Sequence, residues 1–471
     1  MNAKLSGNAR ENLKHRIMEQ VESLLNKLAH AKVVRNAAEM RKAELAIVAV
    51  TDTLAGELIK AVMERSLQDQ EFVDEGRSLI KQAPARMKNH CQRAVEIQPY
   101  RGAAFTVATT YYCKAGLSPQ RAEKKKGLHY PELTLLGVVA HHTPVAASEI
   151  AQTATSLSSL TEAVAILAAR GRAIDVKTLR NLTYQFAAQA RFAQQSLQFT
   201  LTDTVAGKRC AVSVDGGRIR IRTTKRGRKT SKKRNRFNAD WREPKLLHIW
   251  LLNAEGKICR EFSPWIDGTL NGPDEVFMLL AHYLRALNIT AADQVIFIAD
   301  GAPWIWNRIP ALINNLKLDP AKVHLIVDFY HAVGHLNVIA QLCKRWPEKR
   351  RRQWVSRLRG YLLTGKISEV VAAVHDISRG RNGKLIARER HYFENNIDKM
   401  QYATATKNHL PIGSGPMESA IRRVINLRMK GNGIFWLEEN AEAMIMLRSY
   451  YKAGRWNDLF LLAIAVTGNS Q

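Results

Sequence analysis

No stretch of this 471-residue chain approaches the ~18 uninterrupted apolar residues that a membrane-spanning helix needs, which argues against an integral membrane protein. The polar opening, Met1 to Glu19, lacks the apolar core of a secretory signal, so a cytoplasmic location is expected. Cysteine is sparse: Cys91, Cys113, Cys210, Cys259 and Cys343 stand singly, odd in number and with no Cys-x-x-Cys pair. That speaks against a disulfide framework and against a structural zinc built from cysteine, and it fits a reducing compartment. Solenoid-type repeats and long low-complexity segments are missing as well. Negative charge is in deficit, with 42 Asp and Glu against 71 Lys and Arg, a net charge of +29. An excess of that size calls for a polyanionic partner, nucleic acid foremost.

What is present suffices to fold. Hydrophobic residues make up 46% and charged residues 24%, so sizeable cores can be buried, and the length fits two to four domains. From Asn8 to about Lys81 the pattern is helical: Leu13, Ile17, Val21, Leu24 and Leu28 recur at spacings of three and four, with charges on the other face. Residues 1–100 therefore read as a helical N-terminal region. Gly102 to Cys113 is rich in β-formers and predicts a short hairpin. Between Tyr130 and Leu197 lie short helices. Ser159 followed by Glu162 reads as a capping box, Gly171 breaks that helix, and Asp175 caps the next, which carries Lys177, Arg180, Tyr184, Gln185 and Gln189. This helix, turn, helix is similar to a DNA-reading motif with Arg180 and Gln185 as base contacts, although any packed helical hairpin has the same outline. Residues 101–200 thus read as a small hairpin plus a DNA-binding region.

A change of period comes at Arg209. Cys210–Asp215, Lys245–Asn253 and Lys257–Phe262 read as strands, Pro273–Leu287 as a helix, Gln294–Asp300 as a buried strand, Trp304–Leu316 as a helix and Val323–Asp328 as a last strand. The order describes a mixed α/β sheet, with acids at the strand ends where open sheets place their sites.

Asp215 leaves its strand into Gly216-Gly217 and Asp300 leaves another into Gly301, places where the backbone can turn sharply and expose a carboxylate. Gly413, Ser414, Gly415 and Pro416 make a turn into a helix, which puts Glu418 in its first turn, where the helix dipole favours the ionised acid. Such a trio forms the hard, oxygen-rich site that holds magnesium, and phosphodiester transfer needs one cation at the attacking oxygen and one at the leaving oxygen. Asp215 would bridge two ions, Mg2+ or Mn2+, with Asp300 and Glu418 holding one each. Two plain alternatives stand beside this: Asp-Gly after a strand is a common turn, and Glu418 could pair with Arg422.

The segment Arg218 to Arg236 holds eleven Lys or Arg residues and no acid. It reads as a solvated loop that also neutralises phosphates, through Arg218, Lys225, Arg226, Arg228, Lys229, Lys232 and Lys233. Lys344 to Arg359 holds eight basic residues with Trp346 and Trp354 at helical spacing, and reads as a DNA-contacting helix. Asp328, His331 and His335 form D-x-x-H-x-x-x-H, which invites a zinc reading without an obvious fourth ligand. They read better as groups that orient neighbouring carboxylates or contact DNA, and Asp328 is the one substitute for Asp300. Trp304 and Trp306 read as core rather than base-stacking residues.

VDGGRIR at Asp215, WREPK at Trp241–Lys245, ADGAPWIW at Ala299–Trp306, DFYHAVGHL at Asp328–Leu336 and GSGPMESAIRRVINLRMKGNG at Gly413–Gly433 together resemble the DDE-type transposases of bacterial insertion sequences, in particular the ISKra-type group. The resemblance covers roughly Tyr130 to the C-terminus. It implies an RNase H-like catalytic domain over 205–471 with a helical insertion at about 337–411. Asp215, Asp300 and Glu418 would be its catalytic triad, with Arg422 and Arg423 as further DNA contacts. Relatives carry a cysteine pair near Cys113 where this chain has one cysteine, which speaks against a zinc ribbon. The implied activity is metal-dependent cleavage and strand transfer at element ends, by a homodimer or higher oligomer on double-stranded DNA in the nucleoid. A non-mobile nuclease of the same fold and a catalytically silent DNA-binding descendant are the alternatives.

Overall fold

The computed structural model describes residues 33–81, 86–116, 128–196, 201–231, 235–380 and 382–465, with residues 199 and 233 and a scatter between 11 and 26. The chain folds as two compact units, Met1–Leu197 with Asn457–Gln471, and Gln198–Trp456. In this division the second unit stops at Trp456, short of the residue 471 expected from the sequence. Among the described residues no helix is long and apolar enough to cross a membrane.

In the first unit Ile17 and Val21 are helical, while Leu13, Leu24 and Leu28 lie outside the described residues. Helix Ala37–Gln68 starts at Asn36, whose side chain accepts from Glu39 N, and helix Gln70–Lys81 follows. The helical reading of residues 1–100 fails at Met87. Strand β1, Met87–Ile97, pairs antiparallel with β2, Phe105–Lys114, and β3, Leu128–His129, pairs with β2 in turn. Gly102 to Cys113 thus supplies the turn and one arm of a hairpin rather than both arms. The other arm is almost wholly solvated: only Val95 and Ile97 of β1 are buried, packing with Met63, Val107 and Leu133. A strand that polar carries no period-two signal.

Helices Pro144–Ser156, Leu160–Ala169 and Val176–Ser196 bury Ile150, Ala154, Leu167, Leu179, Leu182 and Phe186. Ser159 Oγ accepts from Glu162 N at 3.1 Å, and the Glu162 carboxylate accepts from Ser158 N, one residue earlier than a capping box requires. Asp175 caps the last helix through the amides of Lys177 and Thr178. On that helix Gln185 is exposed and Arg180 half-buried.

The second unit is built on a five-stranded mixed sheet. The central β4, Arg209–Gly216, is antiparallel to β7, Lys245–Leu252, which is antiparallel to β8, Trp265–Thr269. On its other side β4 is parallel to β9, Gln294–Ala299, and β9 to β10, Val323–Val327. The expected strand at Lys257–Phe262 is absent. Lys257, Arg260 and Glu261 are exposed there, and a single bridge joins Ile258 to Leu252. Its place is taken by β8, buried throughout although its sequence is WIDGT. Asp267 tolerates that burial because Gly268 N and the Tyr283 hydroxyl both donate to its carboxylate, at 2.7 and 2.9 Å.

The expected helix Trp304–Leu316 is two, Pro303–Trp306 and Ile309–Leu316, because Pro310 has no amide hydrogen with which to continue the first. After β10, helix Phe329–Leu342 leads into Glu348–Leu363, Ile367–Ile377, Gly383–Glu394 and Tyr402–Lys407, so the segment 337–411 is mostly helical. The basic stretch from Arg218 is not one loop. Ile219–Thr224 is strand β5, paired antiparallel with β6, Phe237–Arg242. Ile219 and Ile221 are its buried face, and Trp436 exchanges backbone hydrogen bonds with Arg220 and Arg222 along the β5 edge.

Candidate active site

Because β4 and β9 are parallel neighbours, Asp215 and Asp300 leave the sheet at the same edge. Asp215 Oδ1 accepts from Gly216 N at 2.6 Å and Asp300 Oδ1 from Ala302 N at 3.1 Å, while the Trp306 indole fixes the Asp300 carbonyl at 2.6 Å. Each acid keeps a second carboxylate oxygen without a hydrogen bond, and no lysine or arginine pairs with either, among the described residues. Glu418 stands in the first turn of helix Gly415–Ile421, as its Pro416 predicts, with its side chain 58% exposed. No ion pair between Glu418 and Arg422 forms among the described residues; the cationic neighbour of Glu418 is His331, 4.0 Å away.

The glycines beside the acids serve a different purpose from the one expected. Gly216, Gly217 and Gly301 all avoid the left-handed backbone. A Cβ would collide with the Glu243 carboxylate at Gly216, with the Ile425 side chain at Gly217 and with the Tyr392 ring at Gly301. They are glycines because other elements close over the ends of the strands. Two residues of the site missed in the sequence are found this way. Glu243 lies over Gly216 and pairs with the buried Lys245 ammonium at 2.6 Å, which also sits 4.0 Å above the Trp304 ring. Tyr392, from helix Gly383–Glu394, covers Gly301. Its phenol is pushed up by burial and then by the charges of Asp300 and Asp328.

Asp328, the third strand-end acid, is 1% exposed and fully engaged. Its Oδ1 caps helix Phe329–Leu342 through His331 N at 2.9 Å, and its Oδ2 accepts from the amide of Ser414 and, at 2.6 Å, from its hydroxyl. Burial alone would raise this acid, but the donors of His331 and Ser414 outweigh it and hold the carboxyl well below the usual range. Asp328 therefore ties the turn that opens the Glu418 helix to the end of β10.

His331 Nδ1 lies 3.5 Å from Asp328 Oδ1, an ion-pair distance rather than a hydrogen bond. The imidazole is pushed up to about 9, chiefly by Asp328 against the opposing effect of burial, with Asp300 and Glu418 adding to it. Asp215 is also pushed up, to about 6, mainly through burial; the Gly216 amide opposes this and the Asp300 charge adds to it. The edge thus gathers more negative charge than one imidazolium balances. Among the described residues the ligand atoms of Asp215, Asp300 and Glu418 do not form a group within 4.8 Å of one another; Glu418 reaches the two strand-end acids through His331, which also feels the Asp300 charge.

A compact cluster of ligand atoms does join Asp328, His331 and Glu418, all within 4.8 Å of one another, but the Asp328 oxygens are already taken up by three donors. Zinc on Asp328, His331 and His335 is not assembled. His335 turns into the insertion, with Nδ1 2.6 Å from Glu389 Oε2 and its ring stacked 3.7 Å from that of Tyr392.

Of the residues expected to meet DNA, Arg218, Lys225, Arg226, Arg228, Lys229, Lys233 and Arg422 are exposed, and Lys232 lies outside the described residues. Arg423 is committed internally, donating to the carbonyls of Lys452 and Ser419. It is held there because residues Arg422–Asn426 form a π-helical turn, whose Arg423 and Val424 carbonyls are capped by the buried Arg448. Trp354 is buried and meets Trp346 edge to face at 5.7 Å, and Arg350 lies over Trp346. Comparison with family models, curated proteins and solved structures gave no match.

Proposed function

We propose that this protein is a DDE-type DNA transposase that cuts phosphodiesters at element ends with Asp215, Asp300 and Glu418 and joins the freed end to target DNA. The observation that carries the reading is the shared sheet edge: Asp215 and Asp300 leave adjacent parallel strands, and Glu418 stands 4.0 Å from His331, an imidazole that also feels the Asp300 charge. A central strand bearing the first acid, with an antiparallel meander on one side and parallel strands on the other, supports an RNase H-like domain. Mg2+ or Mn2+ held by these three acids would supply the charge that readies the attacking oxygen and stabilises the leaving one.

The rest is the work of the chain itself. Asp215 must be deprotonated to act, so its elevated carboxyl makes the activity sensitive to falling pH. The exposed cations of the β5–β6 hairpin begin three residues beyond Asp215 and offer the DNA backbone its counter-charge. Joining two element ends requires two such sites, so a homodimer or higher oligomer on DNA follows from the reading.

The test is incubation with the DNA that flanks the gene, in magnesium, followed by mapping of cut and joined ends. Asp215→Asn, Asp300→Asn and Glu418→Gln should each abolish cutting and joining while end binding survives. Cutting without joining would make it a non-mobile nuclease; binding without either would make it a silent descendant.

A further inference from the structure

Trp241 is 50% exposed, in the middle of a hairpin whose second strand, Phe237–Arg242, is solvated along its whole length. Most aromatic rings among the described residues are buried or half-buried, whereas this one is left in water beside two guanidinium groups. The guanidinium of Arg218 lies 5.1 Å from the ring centroid and that of Arg220 5.7 Å, and Trp241 is the direct cross-strand partner of Arg220. Arg220 also lies 4.4 Å over Phe435, which meets the 42% exposed Phe237 edge to face at 5.1 Å. The result is an aromatic surface interleaved with arginines, at the start of a segment, Arg218 to Arg236, whose sequence holds eleven basic residues and no acid. Arg242, by contrast, is occupied by Glu438 at 3.2 Å.

We propose that Trp241 is a stacking platform for an unpaired DNA base next to the cleavage site. The inference rests on the DNA-cleaving reading above and names a feature of its substrate. Chemistry selects the ligand: an exposed indole with guanidinium groups over its ring fits a base that takes the place of one guanidinium on the π face while that group turns to a neighbouring phosphate. A base inside a duplex has both faces covered by its neighbours, so only an unpaired or extruded base offers a face to the indole. Position selects the place. The Gly217 amide donates to the Pro244 carbonyl at 2.9 Å and closes the base of the hairpin beside Asp215, and Glu243, two residues from Trp241, packs on Gly216. A protein partner would need acidic groups to meet these cations.

The experiment measures binding of the full chain to three fluorescent DNAs: the paired flanking end, the same end with one unpaired base at the junction, and that DNA with 2-aminopurine at the unpaired position. Wild type should bind the unpaired DNA about five- to a hundredfold more tightly than the paired one. It should also quench the 2-aminopurine. Trp241→Ala should bind paired DNA within twofold of wild type yet lose both the gain and the quenching, and Trp241→Phe should keep most of each. Wild type showing no gain, or Trp241→Ala keeping it, overturns the stacking role while leaving DNA binding in place. Failure of wild type to bind any of the three overturns both this inference and the reading beneath it.

Discussion

The acid-bearing sheet edge and the cation-bearing hairpin are joined by two glycines, and they handle like charge in opposite ways. At the edge the three strand-end carboxylates are half-buried or buried while Glu418 stays exposed: Glu243 lies over Gly216, Tyr392 over Gly301, and Ser414 holds Asp328. The cost is electrostatic, seen in Asp215 pushed up to about 6 and His331 pushed up to about 9. At the hairpin Lys225, Arg226, Arg228 and Lys229 stand in water beyond Ile219 and Ile221, and only the arginines nearer its base, Arg220 on the Gly431 carbonyl and Arg242 on Glu438, are held from within among the described residues. The edge holds a geometry at the expense of stability, whereas the hairpin supplies charge and leaves its arrangement to whatever binds.

That contrast can be broken by substitution. The largest effect on folding should come from Asp328→Asn. It removes the charge on which Ser414 and the His331 amide converge, so a loss of about 2–4 kcal/mol in urea unfolding is expected. Replacement of Lys225, Arg226, Arg228 and Lys229 by glutamine should cost less than about 0.5 kcal/mol in the same assay. Equal losses would mean that the two regions do not differ in how they are built.

Asp215→Asn should act with the opposite sign. Its folded carboxyl titrates near 6 against 3.8 for the ordinary acid, so the folded state binds this proton more tightly. Between about pH 4 and pH 6 its contribution to stability falls as pH rises, and above pH 6 it stays unfavourable. With no divalent cation present, Asp215→Asn should therefore be more stable than wild type at pH 8 by about 1–2 kcal/mol, after allowance for partial solvent exposure. The difference should vanish near pH 3.5. A variant less stable at pH 8 would show that the charge of Asp215 is compensated in the fold.

The smallest and most diffuse effect belongs to the hairpin. The fourfold glutamine variant should bind all DNA sequences more weakly and alike, and its log–log salt slope should fall by about 0.9 for each phosphate that the protein no longer neutralises. An unchanged slope would leave these residues as a solvated connection.

Strands β4, β7, β9 and β10 were legible in the sequence because each is a short apolar run, three of them ending in an acid. Strand β8 was hidden by Asp267 and Gly268, whose burial depends on Tyr283 from a later helix. Strand β5 was hidden because arginines alternate with its two isoleucines, and the count of charges hid the alternation. Asp215, Asp300 and Asp328 have the same local signature. What sets Asp328 apart is Ser414, 86 residues away, which no local pattern encodes. Glu243 and Tyr392 left their trace only in the glycines they cover.

The most direct test of the site is titration of the full chain with Mn2+ by calorimetry. Wild type should bind the ion, and Asp215→Asn, Asp300→Asn and Glu418→Gln should each weaken binding by at least about tenfold, while the hairpin variant binds as wild type does. Undiminished binding by Asp300→Asn, or binding that depends on His335, would contradict the assignment of the sheet edge as the cation site.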